Sequence, residues 1–409
     1  MIPEDNPWYC SRAREWDKES VASFFEKKMA TTAAKNMVDS MILQVFGAHS
    51  SQVSLLWFLY WVKTSGLRFS QIIEYDNDGY FGTRLNGGAH QLCEKLADTI
   101  KTYNDAHILT SSKVVSIRMR QTVSSNHPLV ITSSDNKKYL ARMIVIATNP
   151  RTFTHETSII PRLPLALERF GFCTFPGMIG KAIVSYPAAW WKLYKYSGFA
   201  RNISPNPNTC VSLVYDYCGA PAVGLNARES CALVCLIFGD LAVEVGNWPE
   251  EQRKQSVLRS ISLIFPDERE QSQSPMDYKD YFAFRQDPLK GAPLVYPPGQ
   301  FSSNCAQKLF SSPLAHSRDP EKRPLIFFSS SEIADKFSGT MEGAFCRGKQ
   351  VALQVNNTLL DIGRQKHNNF ENDTEQFFME EETGGSLVLK EDVWIPTKIP
   401  AASRSTSHT

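Results

Sequence analysis

The sequence has no block of like charge. Its 44 Lys and Arg stand against 42 Asp and Glu, a formal net charge of +2 over 409 residues. A nucleic-acid footprint needs clustered basic charge, so nucleic acid is not expected as a partner. Long apolar runs are also missing. The longest, Val53 to Val62, reads VSLLWFLYWV, well short of the roughly 20 residues that cross a bilayer. The first twenty residues contain no apolar stretch and the last forty no hydrophobic anchor. A soluble, cytoplasmic protein without a transmembrane segment is therefore expected. No C-x-x-C occurs among the nine cysteines, whose number is odd and spacing irregular, and buried, reduced thiols are expected. None of the eight histidines has metal-ligand spacing, so no metal is expected. No Ser-His-Asp or paired-carboxylate arrangement stands out, and there are no internal repeats.

What is present is ordinary globular composition, 42% hydrophobic and 21% charged, long enough for two or three domains. Residues 20–65 read as helices, and Ser54–Lys63 is too apolar to lie on a surface. Gly87 and Gly88 precede a helix over Ala89–Lys101, whose Leu92, Leu96 and Ile100 fall on one face. Strand-like runs follow at Val114–Met119, Leu129–Thr132 and Tyr139–Ala147. A middle section mixes strands at Lys181–Tyr186, Cys210–Tyr217 and Cys231–Phe238 with a helix over 249–264. A buried strand at Leu325–Phe328, a turn of Ser329, Ser330 and Ser331, and a helix over Gly339–Leu360 close the globular part. Residues 364–409 turn polar and are expected to be extended or disordered. A strand, a small-residue turn and a helix start together favour an anion, because the first helical amides and the helix dipole point at it.

The segment Phe328–Val355 carries Ser329-Ser330-Ser331-Glu332, then Phe337-Ser338-Gly339, then Met341-Glu342-Gly343-Ala344. It resembles the C-terminal flavin-binding signature of the flavin-containing amine oxidases, closest to the monoamine oxidases. Other blocks agree in order: Trp16-Asp17, the segment 54–63, Arg84-Leu85-Asn86-Gly87-Gly88, Val114-Val115, Met143–Pro150, Lys181 within MIGKAIVSYPAAWW, and Tyr296-Pro297-Pro298-Gly299. The resemblance implies an α/β (mixed α+β) architecture: an FAD-binding-type flavin domain, incomplete here, with a mixed-sheet substrate domain. The implied pieces are a helical segment at 1–65, flavin-domain parts at 66–160 and 300–362, a substrate domain at 161–299 and a tail at 363–409. The family places FAD against Val114, Ser330, Glu332, Gly339, Met341 and Glu342. Lys181 sits where the family keeps a lysine that holds water against the flavin. The amine pocket would lie at Thr340, Ala292 and Phe282.

Departures from the family pattern are specific. There is no G-x-G-x-x-G in the 409 residues, the element whose glycines let backbone approach a pyrophosphate. The loop 287–293 before Tyr296 lacks the cysteine that carries covalent flavin in monoamine oxidases, so any FAD is expected to be non-covalent. Thr340 and Ala292 or Pro293 stand where the family has two cage tyrosines, and Ser330 stands where it has glycine. The resemblance implies oxidation of a small amine with O2, giving an imine and then an aldehyde, and hydrogen peroxide. The alternative is a non-catalytic relative that serves as an interaction protein. A homodimer or a protein partner is also expected, because lacking the first βαβ unit would leave a sheet edge and its apolar face open. Mitochondrial association rests on the resemblance alone.

Overall fold

A computed structural model of the chain describes residues 2–3, 6–66, 68, 71–72, 85, 87–120, 127–193, 195–203, 206, 208–218, 231–285, 290–291, 293–301, 310–317, 319, 322–369 and 394–396. The chain divides into two compact units, Met1–Thr110 with Cys173–Ser303, and Ser111–Phe172 with Asn304–Thr409.

The first unit opens with helices α1 (Ala13–Lys18), α2 (Val21–Glu26), α3 (Thr32–Phe46), α4 (Leu55–Thr64) and α5 (His90–Lys101). Three of these starts carry side-chain caps. Ser20 and Ser23 form a reciprocal capping box on α2, Thr31 caps α3, and the Ser54 hydroxyl accepts the Trp57 amide to start α4. Helix α3 stops at Gly47, which adopts φ +60°. Buried Asp17 joins α1 to α4 and to the 299–301 segment. Its carboxylate accepts the Ser54 hydroxyl at 2.7 Å and the Phe301 amide at 3.2 Å.

The same unit holds strands β6 (Phe175–Pro176), β7 (Ile179–Tyr186), β8 (Ala200–Arg201), β9 (Leu213–Asp216), β10 (Cys231–Phe238), β11 (Asp277–Phe282) and β12 (Leu294–Val295). Its short helices are α8 (Trp190–Leu193), α9 (Gly239–Gly246) and α11 (Arg269–Ser272), and the longer α10 is Glu250–Ile264. Five strands make one antiparallel sheet in the order β11-β7-β10-β9-β8, and β12 pairs with β6. All eight residues of β10 are buried because both faces are covered. Val184, Leu233 and Ile237 pack one face against Trp191, Val257 and Ile261. Leu213, Val234, Leu236 and Phe238 pack the other, with Leu43 of α3. A Cβ at Gly177 would lie 1.8 Å from the Phe46 carbonyl oxygen, so only glycine lets β6 pass α3.

The second unit contains β1 (Val114–Met119), β2 (Leu129–Ser133), β3 (Lys138–Ala141), β4 (Ile144–Ile146), α6 (Pro150–Glu156), β5 (Ser158–Ile160) and α7 (Leu165–Cys173). It ends in β13 (Leu314–His316), β14 (Pro324–Phe328), α12 (Met341–Asn369) and β15 (Trp394–Pro396). Its two sheets run β3-β2-β1-β5 and β15-β13-β14-β4. Strands β14 and β4 are parallel, with Phe327 opposite Val145. Both are nearly all apolar; β14 is buried from Leu325 to Phe328, whereas β4 leaves Val145 exposed. Phe153 of α6 stacks on Phe328, and Phe310 meets Phe153, Phe170 and Phe328 edge-on.

Several sequence expectations need correction. The run Tyr139–Ala147 is not one strand: it breaks at Arg142-Met143 and serves two sheets as β3 and β4. The last helix continues to Asn369, and the tail segment Trp394–Pro396 pairs with β13. Helix α5 forms as its period requires, yet none of its residues is buried, and Leu92, Leu96 and Ile100 lie open. The thiols are not uniformly buried: Cys93 is exposed and Cys173, Cys218 and Cys346 are half-buried. The two compact units divide after Thr110, Phe172 and Ser303. Among the described residues no helix is long and apolar enough to cross a membrane, and no cluster of metal ligands occurs.

Candidate functional site

In the second unit, the ends of parallel β4 and β14 lie side by side, the position at which open α/β sheets take their ligands. Each strand leads into a capped turn. After β4, the Asn149 side-chain carbonyl accepts the Arg151 amide at 2.9 Å and starts α6, with Pro150 at its first position. After β14, Ser330 plays the equivalent part, its hydroxyl accepting the Glu332 amide at 3.3 Å.

The two turns are joined through Glu332. One carboxylate oxygen accepts the Asn149 side-chain N–H at 3.3 Å. The other accepts the Ser331 hydroxyl at 3.0 Å and the Ser330 hydroxyl. A carboxylate fixed this way offers its remaining lone pairs to hydroxyl donors and repels phosphate.

The path into α12 is strained and tight. Phe337 adopts φ +55° and Gly339 φ +77°, and the Gly339 amide returns to the Ser331 carbonyl at 3.0 Å. The Thr340 hydroxyl accepts the Gly343 amide at 3.1 Å and donates to the Phe337 carbonyl at 2.6 Å. It thus caps the start of α12. A Cβ on Gly343 would lie 2.3 Å from the Phe337 carbonyl oxygen, so this glycine serves close packing of the first helical turn. Met341 and Glu342 stand exposed at the helix start.

The expected site residues distribute as follows. Ser330, Glu332, Gly339, Thr340, Met341 and Glu342 come together at one turn of the second unit. Val114 opens β1 of that unit, opposite Ser133. Lys181 and Phe282 belong to the first unit, on neighbouring strands. Lys181 is exposed on β7, between buried Gly180 and Ala182, and faces Tyr281 of β11. Phe282 points the other way. It is buried in the larger core, where a Cβ on Gly180 would sit 2.4 Å from its ring. Ala292 lies outside the described residues.

Sequence reading missed Asn149 and Tyr281. An Asn-Pro step after a strand is a helix-cap signal, but nothing in the sequence pairs it with Glu332. Tyr281 beside Lys181 follows only from strand register.

The residues present fit part of a flavin. The held Glu332 suits the hydroxyl-bearing portion of FAD. The turn's own amide is already taken by Ser330, and the first-turn amide of Gly343 by Thr340, so neither is free for a diphosphate.

The second unit holds this strand, turn and helix arrangement, and the first holds the five-stranded antiparallel sheet. The sequence profile of the family described as flavin containing amine oxidoreductase matches residues 4–356, and the chain belongs to that family. It is similar to the flavin-containing amine oxidase A of Sus scrofa, 23% identical over 364 residues, covering 89% of this chain and 63% of that enzyme. It is likewise similar to the flavin-containing amine oxidase B of Homo sapiens, 23% identical over 359 residues, covering 87% of this chain and 62% of that enzyme. The chain thus spans less than two thirds of the length of these relatives. Among solved structures, cyclohexylamine oxidase from Brevibacterium oxydans superposes with a TM-score of 0.70 at 22% identity, covering 88% of this chain and 72% of that one. Putrescine oxidase bound to putrescine gives a TM-score of 0.70 at 19% identity, with 87% and 72% covered.

Proposed function

We propose that this chain is an FAD-dependent amine oxidase that converts a small amine and O2 into an imine and hydrogen peroxide, the imine then hydrolysing to an aldehyde. The observation that carries the reading is the Glu332 cluster, a fixed carboxylate at the ends of two parallel strands of a flavin-family fold. When bound, the flavin supplies the two-electron acceptor for the carbon next to the amine, and O2 restores it. Glu332, Ser331 and Asn149 would hold its hydroxyl-bearing chain. Attachment is non-covalent, since the loop 287–293 carries no cysteine. Lys181, exposed on β7 next to Tyr281, would hold a water by its ammonium group and so orient the reacting atoms. With Thr340 engaged in capping, no cage tyrosine stands at that position, and specificity differs from that of a monoamine oxidase.

The test is amine-dependent peroxide release by the FAD-supplemented chain across a panel of primary amines. Lys181→Met is expected to lower that rate by about 100-fold, as misplacement of reacting groups does, with the flavin spectrum unchanged. Peroxide release at an equal rate from the variant removes Lys181 from the mechanism.

A second reading is favoured by one observation. Strand β4 is a sheet edge with Val145 exposed, and Leu92, Leu96 and Ile100 of α5 and Met341, Phe345 and Leu353 of α12 are uncovered. Such apolar surface suits an interaction protein, or a homodimer, that engages a protein partner. In that reading FAD-supplemented chain releases no peroxide with any amine.

A further inference from the structure

Strands β9 and β10 run antiparallel, with Val234 opposite Tyr215 and Leu233 opposite Asp216. At the next position the Tyr217 amide donates to the Ala232 carbonyl at 2.8 Å, a hydrogen-bonded pair. One step further, beyond the end of β9, this register if continued would set Cys218 opposite Cys231. Hydrogen-bonded and non-hydrogen-bonded pairs alternate along such a ladder, and in the second kind the Cα atoms approach to about 4.5 Å. A disulfide bridges Cα separations of roughly 4.4–6.8 Å. Both side chains lie on one face of the sheet. Cys231 is buried in the larger core with Leu233 and Cys235, and half-buried Cys218 packs against that core. Neither sulfur is in a disulfide in this structure.

We propose that Cys218 and Cys231 form a redox-modifiable pair that closes into a disulfide across the ends of β9 and β10, with hydrogen peroxide as oxidant. The cellular source of peroxide rests on the amine-oxidase reading above, whereas the pair's geometry does not. Cys218, the more accessible, attacks one peroxide oxygen as thiolate. The O–O bond breaks, hydroxide leaves and takes a proton to become water, and Cys218 becomes a sulfenic acid. The Cys231 sulfur then attacks the Cys218 sulfur, the S–O bond breaks, and the hydroxyl leaves with the Cys231 proton as a second water. One peroxide and two thiols give one disulfide and two waters.

The surroundings set the tempo. Burial first, and then the neighbouring Asp216, push the Cys218 thiol up to about 12, with Cys231 adding to the rise and Lys192 opposing it. A thiol this hard to ionise attacks slowly and, once bonded, leaves slowly. The pair therefore acts as a slow lock rather than a rapid switch. Cys210 and Cys235 are buried in the same core. Cys210 meets the Ser260 hydroxyl and, after burial, adds to the rise of the Cys235 thiol.

The test is peptide mapping of the full chain without reduction, after added hydrogen peroxide and alkylation of remaining thiols. One linked peptide containing Cys218 and Cys231, lighter by two hydrogens than the sum of its parts, is the expected result. It should be absent from Cys231→Ser and reversed by dithiothreitol. A parallel incubation with diamide reaches the same disulfide without peroxide and needs no variant. Quantitative alkylation of both cysteines after both oxidants, or linkage of either to another cysteine, overturns the proposal. A third incubation replaces peroxide with FAD and amine. Closure by added peroxide but not by amine supports the pair and counts against the oxidase reading alone.

Discussion

Asn149 and Glu332 stand 183 positions apart and meet through one side-chain hydrogen bond. Glu332 was readable by the pattern around Met341-Glu342-Gly343-Ala344, whereas Asn149 was not singled out, although its place before Pro150 is a helix-cap signal. Their pairing was not readable, because it depends on β4 lying next to β14 rather than next to β3. A second polar contact, between His49 and Asp39, gives a pH-dependent consequence. The His49 ring nitrogen lies 2.9 Å from Asp39, whose other oxygen accepts the Ser50 amide and hydroxyl. The hydrogen bond to Asp39 raises His49 above its ordinary value of 6.5, against the opposing effect of burial. For Asp39, burial raises and the bonds from His49 and Ser50 lower, with a net fall below 3.8. A raised histidine stabilises the fold fully below its unfolded value and loses that contribution as pH rises through its folded one. The melting temperature should therefore fall between about pH 6 and pH 8, and fall less in His49→Gln. An identical fall in both proteins would remove His49 from the account.

At the scale of elements, composition was the better guide where an element is wholly buried. The run Cys231–Phe238 forms a strand with every residue buried, and Ser54–Lys63 forms a buried helix with Ser54 as its cap. Periodicity was less informative where cover matters. Leu92, Leu96 and Ile100 specify a helix, but not what lies against it, and in this structure they are open. The strand Trp394–Pro396 was invisible because three apolar residues in a polar tail carry no period. Helix α12 offers a test of the packing that sets the flavin turn. Gly343→Ala drives a methyl group into the Phe337 carbonyl and should destabilise the chain by about 1–3 kcal/mol, the usual cost of overpacking. Gly348, on the same helix, has nothing within 4 Å of an added Cβ. Gly348→Ala should therefore be neutral or stabilising by up to about 1 kcal/mol. Urea midpoints for the two variants check this, and equal midpoints would mean that the first turn of α12 is not tightly seated.

At the scale of the molecule, the fold belongs to the flavin-containing amine oxidoreductases, and its second unit brings the flavin-turn residues together. The described residues fix the Glu332 carboxylate between Asn149, Ser330 and Ser331, the group proposed above to face the hydroxyl-bearing part of FAD, and the 409 residues contain no G-x-G-x-x-G. In the proposed reading the Glu332 cluster contributes to holding FAD. The measurement that bears most directly on this is the visible absorption spectrum of the purified full chain after incubation with FAD and removal of excess. The account predicts a flavin spectrum that travels with the protein, is released into the supernatant on denaturation, and is weakened by Asn149→Ala and Glu332→Ala. A protein that stays colourless after excess FAD would contradict it.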